Sequence, residues 1–249
     1  MERDSLVEIN FSSVEINERR DNVREKIICS SKNIKNGIIT TVLEADLKNI
    51  FIYYDAYFLN NYFKDYFLGN IKFSFSKRMT RSAGLTIVPK NIAYLKQSEE
   101  TYEIRIGINF FLKYYDTIRE KKVNGIVTTD ALHALQLVFE HELCHVIEFH
   151  VFKNSSCKKQ RFKNISKNIF KHGSSYHELP TSSEIVKMQY GLKIGDKVYF
   201  TYENRKIEGL ISSINKRATI MVMDKAGRYM DSKGNKYSKC YVILEAICK

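Results

Sequence analysis

His141-Glu142-Leu143-Cys144-His145 confines two imidazoles to one face of whatever helix carries them. Four residues advance an α-helix by about 400°, so both rings emerge from the same side, one turn apart. There they can share one Zn²⁺ through neutral ring nitrogens at about 2.0–2.1 Å. Glu142 stands about 100° round from His141, within reach of a water on such a metal but out of the ligand position. The pattern is His-Glu-x-x-His, in which a carboxylate takes a proton from water and passes it to a leaving amine. Thr128-Thr129-Asp130 offers N-cap oxygens, and apolar residues recur at 132, 135, 138, 139, 143, 146 and 147. Together they predict a helix over residues 131–152 with a buried back and a polar face. The competing reading is a coincidental polar stripe, and a chance match to the pattern is expected in roughly one such sequence in a hundred.

A catalytic zinc takes a third protein ligand and keeps one position open. His150 lies about 140° round the helix from His145 and reads as a surface or supporting residue. His133, two turns before His141, drifts off the metal face and reads as a packed histidine. His172, His177, Glu178 and Glu184 follow a basic stretch and flank a glycine turn, where the chain can fold back under the helix. Spacing does not choose among these four. Cysteines 29, 144, 157, 240 and 248 form no CxxC pair, which excludes a cysteine-built zinc ribbon and fits reduced thiols in an intracellular setting.

Elsewhere, periodicity places the elements around this helix. Residues 1–40 are polar and mixed in charge and read as a loosely held arm or a short peripheral element. Apolar and aromatic residues recur at helical spacing from 46 to 67, predicting one long buried helix that stops at Gly69-Asn70. Residues 71–75, 83–88 and 102–106 have strand character, the last alternating as YEIRI. Residues 109–115 read as a short helix and 123–128 as a turn. From Leu192 the texture changes to short alternating runs broken by turn residues. About five strands there predict a small SH3-like or KOW-like barrel. The fold class is therefore α+β, with an arm at 1–40, a domain at 41–190 and the barrel at 191–249.

The charge is unevenly placed. The net +12 is matched by residues 151–240 alone, which hold nineteen Lys/Arg against seven Asp/Glu. A solvated lysine surface is one reading, and a polyanion footprint, most often nucleic acid, is the other. Seven Lys/Arg and no acid fall within residues 151–171, and Lys158, Lys159, Arg161 and Lys163 are the expected DNA contacts. Tyr202, Lys206, Lys216 and Arg217 are further candidates in the barrel. No run of 18 apolar residues and no apolar core behind a basic tip argue against a membrane span and a secretory signal. The expected location is intracellular, cytoplasmic or associated with the nucleoid or nucleus.

FSKRMTRSAGLT (75–86), YEIRIGINFFL (102–112), LVFEHELCHVIEF (137–149) and KHGSSY (171–176) resemble, in that order, the SprT-like metalloproteases. That group includes the Spartan proteases, which degrade proteins crosslinked to DNA. The resemblance covers roughly residues 45–190 and implies a small zincin-like domain. It puts the metal ligands on His141, His145 and His172, the last from a turn histidine of the family, and the catalytic carboxylate on Glu142. The spacer between His145 and His172 is longer and more basic than in the family, Phe75 stands where tryptophan is frequent, and the family's Cys-rich ribbon is missing. The implied function is a zinc endopeptidase acting on DNA-associated or DNA-crosslinked proteins. The alternatives are a nucleic-acid-binding protein with a structural zinc and no proteolysis, and a peptidase indifferent to DNA.

Overall fold

The computed structural model describes residues 3–215 and 217–249, and the chain divides into two compact units, residues 1–179 and 180–249. The fold is mixed α+β throughout. Among the described residues, no helix is long and apolar enough to cross a membrane.

The first unit begins with an element that the polar sequence conceals. Helix α1 (Ser13–Ser30) opens on a reciprocal cap, Ser12 Oγ accepting from Glu15 N and Glu15 Oε2 accepting from Ser12 N. Ile16, Val23 and Ile27 recur along one buried face, with Arg20 between them. Of the two readings for this segment, the structure departs from a loose arm: residues 13–30 are a docked helix. Its core stripe is only one residue per turn wide, too narrow to stand out against the charges around it.

The expected long helix over 46–67 is two helices, α2 (Glu44–Phe58) and α3 (Tyr62–Tyr66). Asn60 and Asn61 both hold positive φ, 53° and 59°, a conformation asparagine tolerates better than most residues. Asp55 fixes the break by accepting from Phe63 N and Lys64 N, each at 2.9 Å. Aromatic periodicity runs through the break because both helices bury the same kind of face.

Strands β3 (Asn70–Ser76), β4 (Gly84–Ile87) and β5 (Thr101–Gly107) form a sheet in the order β3-β5-β4, preceded in the chain by the short pair β1 (Ile34–Lys35) and β2 (Ile38–Ile39). β3 runs parallel to β5 and β4 antiparallel, so β4 is an edge. After helix α4 (Asn109–Leu112), a tight hairpin of β6 (Lys122–Val123) and β7 (Ile126–Val127) turns through Asn124 and Gly125, both at positive φ. Helix α5 (Ala131–Phe152) follows, capped by Asp130 Oδ1 accepting from His133 N at 2.9 Å. Helix α6 (Gln160–Phe170) occupies the basic stretch and buries Phe162, Ile165, Ile169 and Phe170. Its apolar residues are spaced for a helix, but the lysines between them read as a spacer.

The second unit starts with helix α7 (Ser182–Tyr190), whose Val186 joins Leu192, Val198, Phe200, Ile211 and Ile220 in a separate core. The change of texture at Leu192 marks the first turn into the strands, one helix after the units divide. Strands β8 (Lys197–Tyr202), β9 (Arg205–Ile214), β10 (Arg217–Met223), β11 (Tyr229–Met230) and β12 (Lys236–Ile243) form an antiparallel sheet in the order β11-β12-β10-β9-β8. No ladder closes this sheet into a barrel among the described residues; the chain returns to β8 only through the isolated bridge Tyr199↔Cys248. Lys216 lies outside the described residues, Tyr202 is exposed, and Lys206 Nζ sits 4.2 Å from the centre of the Tyr199 ring.

Candidate metal centre

Helix α5 sets His141 and His145 one turn apart, with their Nε2 atoms 3.2 Å from each other. Two nitrogens at about 2.0–2.1 Å on a tetrahedral ion lie about 3.3–3.4 Å apart, so the pair is spaced as co-ligands are. A third donor comes from the loop between α5 and α6. Donor atoms of His141, His145 and Cys157 all lie within 4.8 Å of one another. Two imidazoles and a thiol are the nitrogen and sulfur donors that suit Zn²⁺.

A chain of hydrogen bonds fixes the tautomer of His145. Ser155 Oγ donates to Glu148 Oε2 at 2.5 Å, and His145 Nδ1, 2.6 Å from the same hydroxyl, donates to it. That leaves Nε2 with its lone pair facing His141, the supporting arrangement typical of metal-bound histidine. Glu148 is fully buried and also accepts from Ser156 N and from Arg161 Nε at 2.7 Å. Arg161 further donates to Asn154 O and Oδ1 and lies over the Phe152 ring. Its guanidinium, expected among the DNA contacts, is thus engaged by Glu148 and Asn154. Lys158, Lys159 and Lys163 are exposed.

Phe162 packs its ring against both histidines, at 4.9 Å from His141 and 4.4 Å from His145. Burial lowers the pKa of His141 to about 3, helped by His145, His172 and His177 nearby, and that of His145 to about 4. Both imidazoles are neutral at ordinary pH, the form a metal needs. His141 Nδ1 is buried with no hydrogen-bond partner among the described residues.

His172, expected as the third ligand, is outside the three-donor group. Its Nε2 lies 2.8 Å from Glu140 Oε2, on the α5 residue just before His141. Glu140 is completely buried and takes Arg20 through two bonds, 2.7 and 2.9 Å, and the Tyr54 hydroxyl at 2.9 Å. Burial pushes its pKa up, but Arg20 and His172 outweigh that and hold it at about 2. His172 thus ties the end of α6 to α5 and α1. The family-like turn carries a histidine whose Nε2 is taken by Glu140 and whose buried Nδ1 has no partner among the described residues, while Cys157, twelve residues after His145, is the residue that clusters with the histidine pair.

Glu142 is buried on the side of α5 facing β4. Thr86 Oγ1 donates to its Oε2 at 2.8 Å. Gly84 makes room for it, since a Cβ there would stand 2.5 Å from Glu142 Oε1. Burial raises the Glu142 pKa to about 7, against the opposing Thr86 hydrogen bonds. His141 and Glu142 share a small cleft of about 60 Å³ with Ala83, Gly84, Tyr176 and His177. The strip 173–178 reaches it because Gly173 N and Ser174 N both donate to Asn124 O, and Val123 bridges His177. His177 Nε2 donates to Arg81 O at 3.2 Å, and its Nδ1 accepts from Leu179 N, so it is spent on the cleft wall. Glu178 is exposed, and Glu184 belongs to the second unit.

His150, expected at the surface or in support of the metal, is fully buried. It donates from Nδ1 toward Glu100 at 3.4 Å, accepts from Tyr62 OH at 3.0 Å, and packs against Phe63 and Phe67. Comparison with protein-family models, with curated proteins and with solved structures finds no match.

Proposed function

We propose that this chain is a zinc-dependent endopeptidase of the SprT-like kind, with a zincin-like first unit, acting on proteins associated with or crosslinked to DNA. One juxtaposition carries the reading: His141, whose Nε2 is paired with that of His145, lines the same cleft as a buried carboxyl, Glu142, that is not a member of the donor group. A purely structural site has no use for that acid. His141, His145 and Cys157 would hold the zinc, which supplies Lewis acidity toward a water and a scissile carbonyl. Glu142 accepts the proton of a water in the cleft and returns it to the leaving amine. Thr86 and Gly84 hold its carboxyl in place. Tyr176, exposed on the cleft rim, is placed to touch substrate.

Metal content tests the donor set. Dialysed wild-type protein should retain roughly one zinc per chain. Cys157→Ala should lose most of it, whereas His172→Ala should keep the metal and lose stability. Loss of zinc in His172→Ala with retention in Cys157→Ala would return the third position to His172.

The DNA part of the proposal rests on the charge of residues 151–240 and on the resemblance, with Lys158 and Lys159 exposed beside Cys157. Lys158→Ala with Lys159→Ala should flatten the salt dependence of oligonucleotide binding, by about 0.7–0.9 in log–log slope for each phosphate no longer neutralised. Unchanged anisotropy curves at two salt concentrations would remove this segment from the DNA site. The antiparallel sheet of the second unit, returning on itself at Tyr199 and Cys248, supports an SH3-like reading and a partner-binding role there.

A further inference from the structure

A large cavity of the first unit lies beside the cleft, between α6 and the strip that follows it, and encloses about 590 Å³. Lys163, Lys167 and Lys171 line it, four residues apart along α6 and its C-cap. No Asp or Glu is among its lining residues, and none of the three ammonium groups is in an ion pair among the described residues. The carboxylate that His172 meets behind the wall, Glu140, is already neutralised by Arg20. Two further wall residues, His172 and Ser174, each bury a polar atom, Nδ1 and Oγ, that has no hydrogen-bond partner among the described residues. Such groups cost free energy while unpaired, and a rotating serine hydroxyl is a donor in waiting.

We propose that this cavity is a substrate pocket for acidic side chains of a polypeptide, Asp or Glu, close to the bond being cleaved. The proposal rests on the peptidase reading above and adds its substrate class. The cavity shares Ser175 and Tyr176 with the cleft over His141 and Glu142, so a chain lying across that cleft continues into it. Three lysines with no competing acid favour an anion there. Two features favour a carboxylate over a phosphate. The backbone N–H groups of Gly173 and Ser174, which would form a phosphate nest, are both used on Asn124 O. The C-terminal end of α6 also faces the cavity, and its partial negative charge opposes a dianion more than a single charge.

The test is equilibrium binding to the Glu142→Gln protein, which needs no cleavage. A fluorescein-labelled peptide rich in Asp and Glu is compared by anisotropy with its Asn and Gln counterpart. The acidic peptide should bind about tenfold more tightly. Lys163→Gln, Lys167→Gln and Lys171→Asn together should erase most of that difference without changing zinc content. Asparagine is chosen at 171 because that residue holds φ 56°. Lys167→Glu alone, an exposed change, should reverse the preference even if the triple variant folds poorly. Equal affinity for the two peptides, or discrimination that survives Lys167→Glu, overturns the pocket. So does a triple variant that loses oligonucleotide binding while the peptide comparison stays flat, which would give the cavity to nucleic acid. A protein that cleaves without acidic preference sinks the pocket alone, and acidic binding without any cleavage sinks the peptidase alone.

Discussion

Glu142→Gln should abolish proteolysis and leave zinc in place. The amide has the shape of the carboxyl, so the Gly84 recess and the Thr86 contact survive, with the amide oxygen still able to accept from Thr86 Oγ1. What it lacks is a site for the proton of the attacking water. The general-base role alone is worth on the order of 10²–10⁴-fold. Zinc should stay because Glu142 is not one of the three clustered donors. The comparison is casein or histone cleavage, with and without single-stranded DNA, set beside metal analysis of the same preparation. Wild-type turnover in a clean preparation of the variant would remove this mechanism. Lost activity accompanied by lost zinc would instead make Glu142 part of the metal site.

The second large effect is on stability. Arg20→Met should destabilise the first unit by about 3–5 kcal/mol, because it strips a fully buried carboxylate of its cation. Burial opposes the charge of Arg20, but Glu140 beside it more than compensates and raises its pKa. Arg20 also donates to Phe170 O at 3.1 Å, so the guanidinium joins α1, α5 and the end of α6. Urea unfolding measures the loss. Adding Glu140→Gln to Arg20→Met should recover part of it, since the stranded charge is then gone. A single-variant loss below about 1 kcal/mol would mean that the carboxylate is protonated or hydrated in its place.

Helix α5 was legible almost residue for residue, since its N-cap, its apolar stripe and the histidine spacing all point the same way. The three strands of the first unit's largest sheet were legible too, from their strand character, and from alternation in β5. Hidden from the sequence were the features that depend on partners far along the chain. Arg20 looks like any charged residue of a polar arm until Glu140, 120 residues away, meets it. His150 looks amphipathic until Tyr62 and Glu100 close over it. Cys157 carried a signal, a soft donor one short loop beyond the helix, but scattered cysteines without a CxxC pair do not show which of them meets the histidine pair. His172 was singled out by the resemblance alone, and no sequence signal shows that its Nε2 meets the buried Glu140.

Because Arg20 waits for both Glu140 and the Phe170 carbonyl, the first unit cannot lock while its chain is still being made. At about 5–20 residues per second, the ribosome releases residue 170 many seconds after α1 has emerged. Until then Glu140 has no guanidinium clamp with its third anchor, and α6, which carries Phe162 against the two histidines, is incomplete. The closure is long-range, of the kind that makes folding slow rather than local and fast. A nascent chain of this protein therefore carries the histidine pair for some time before the contacts around it are complete. Closure of Arg20 on its partners therefore belongs to the last steps in assembling the first unit, after α6 has been made.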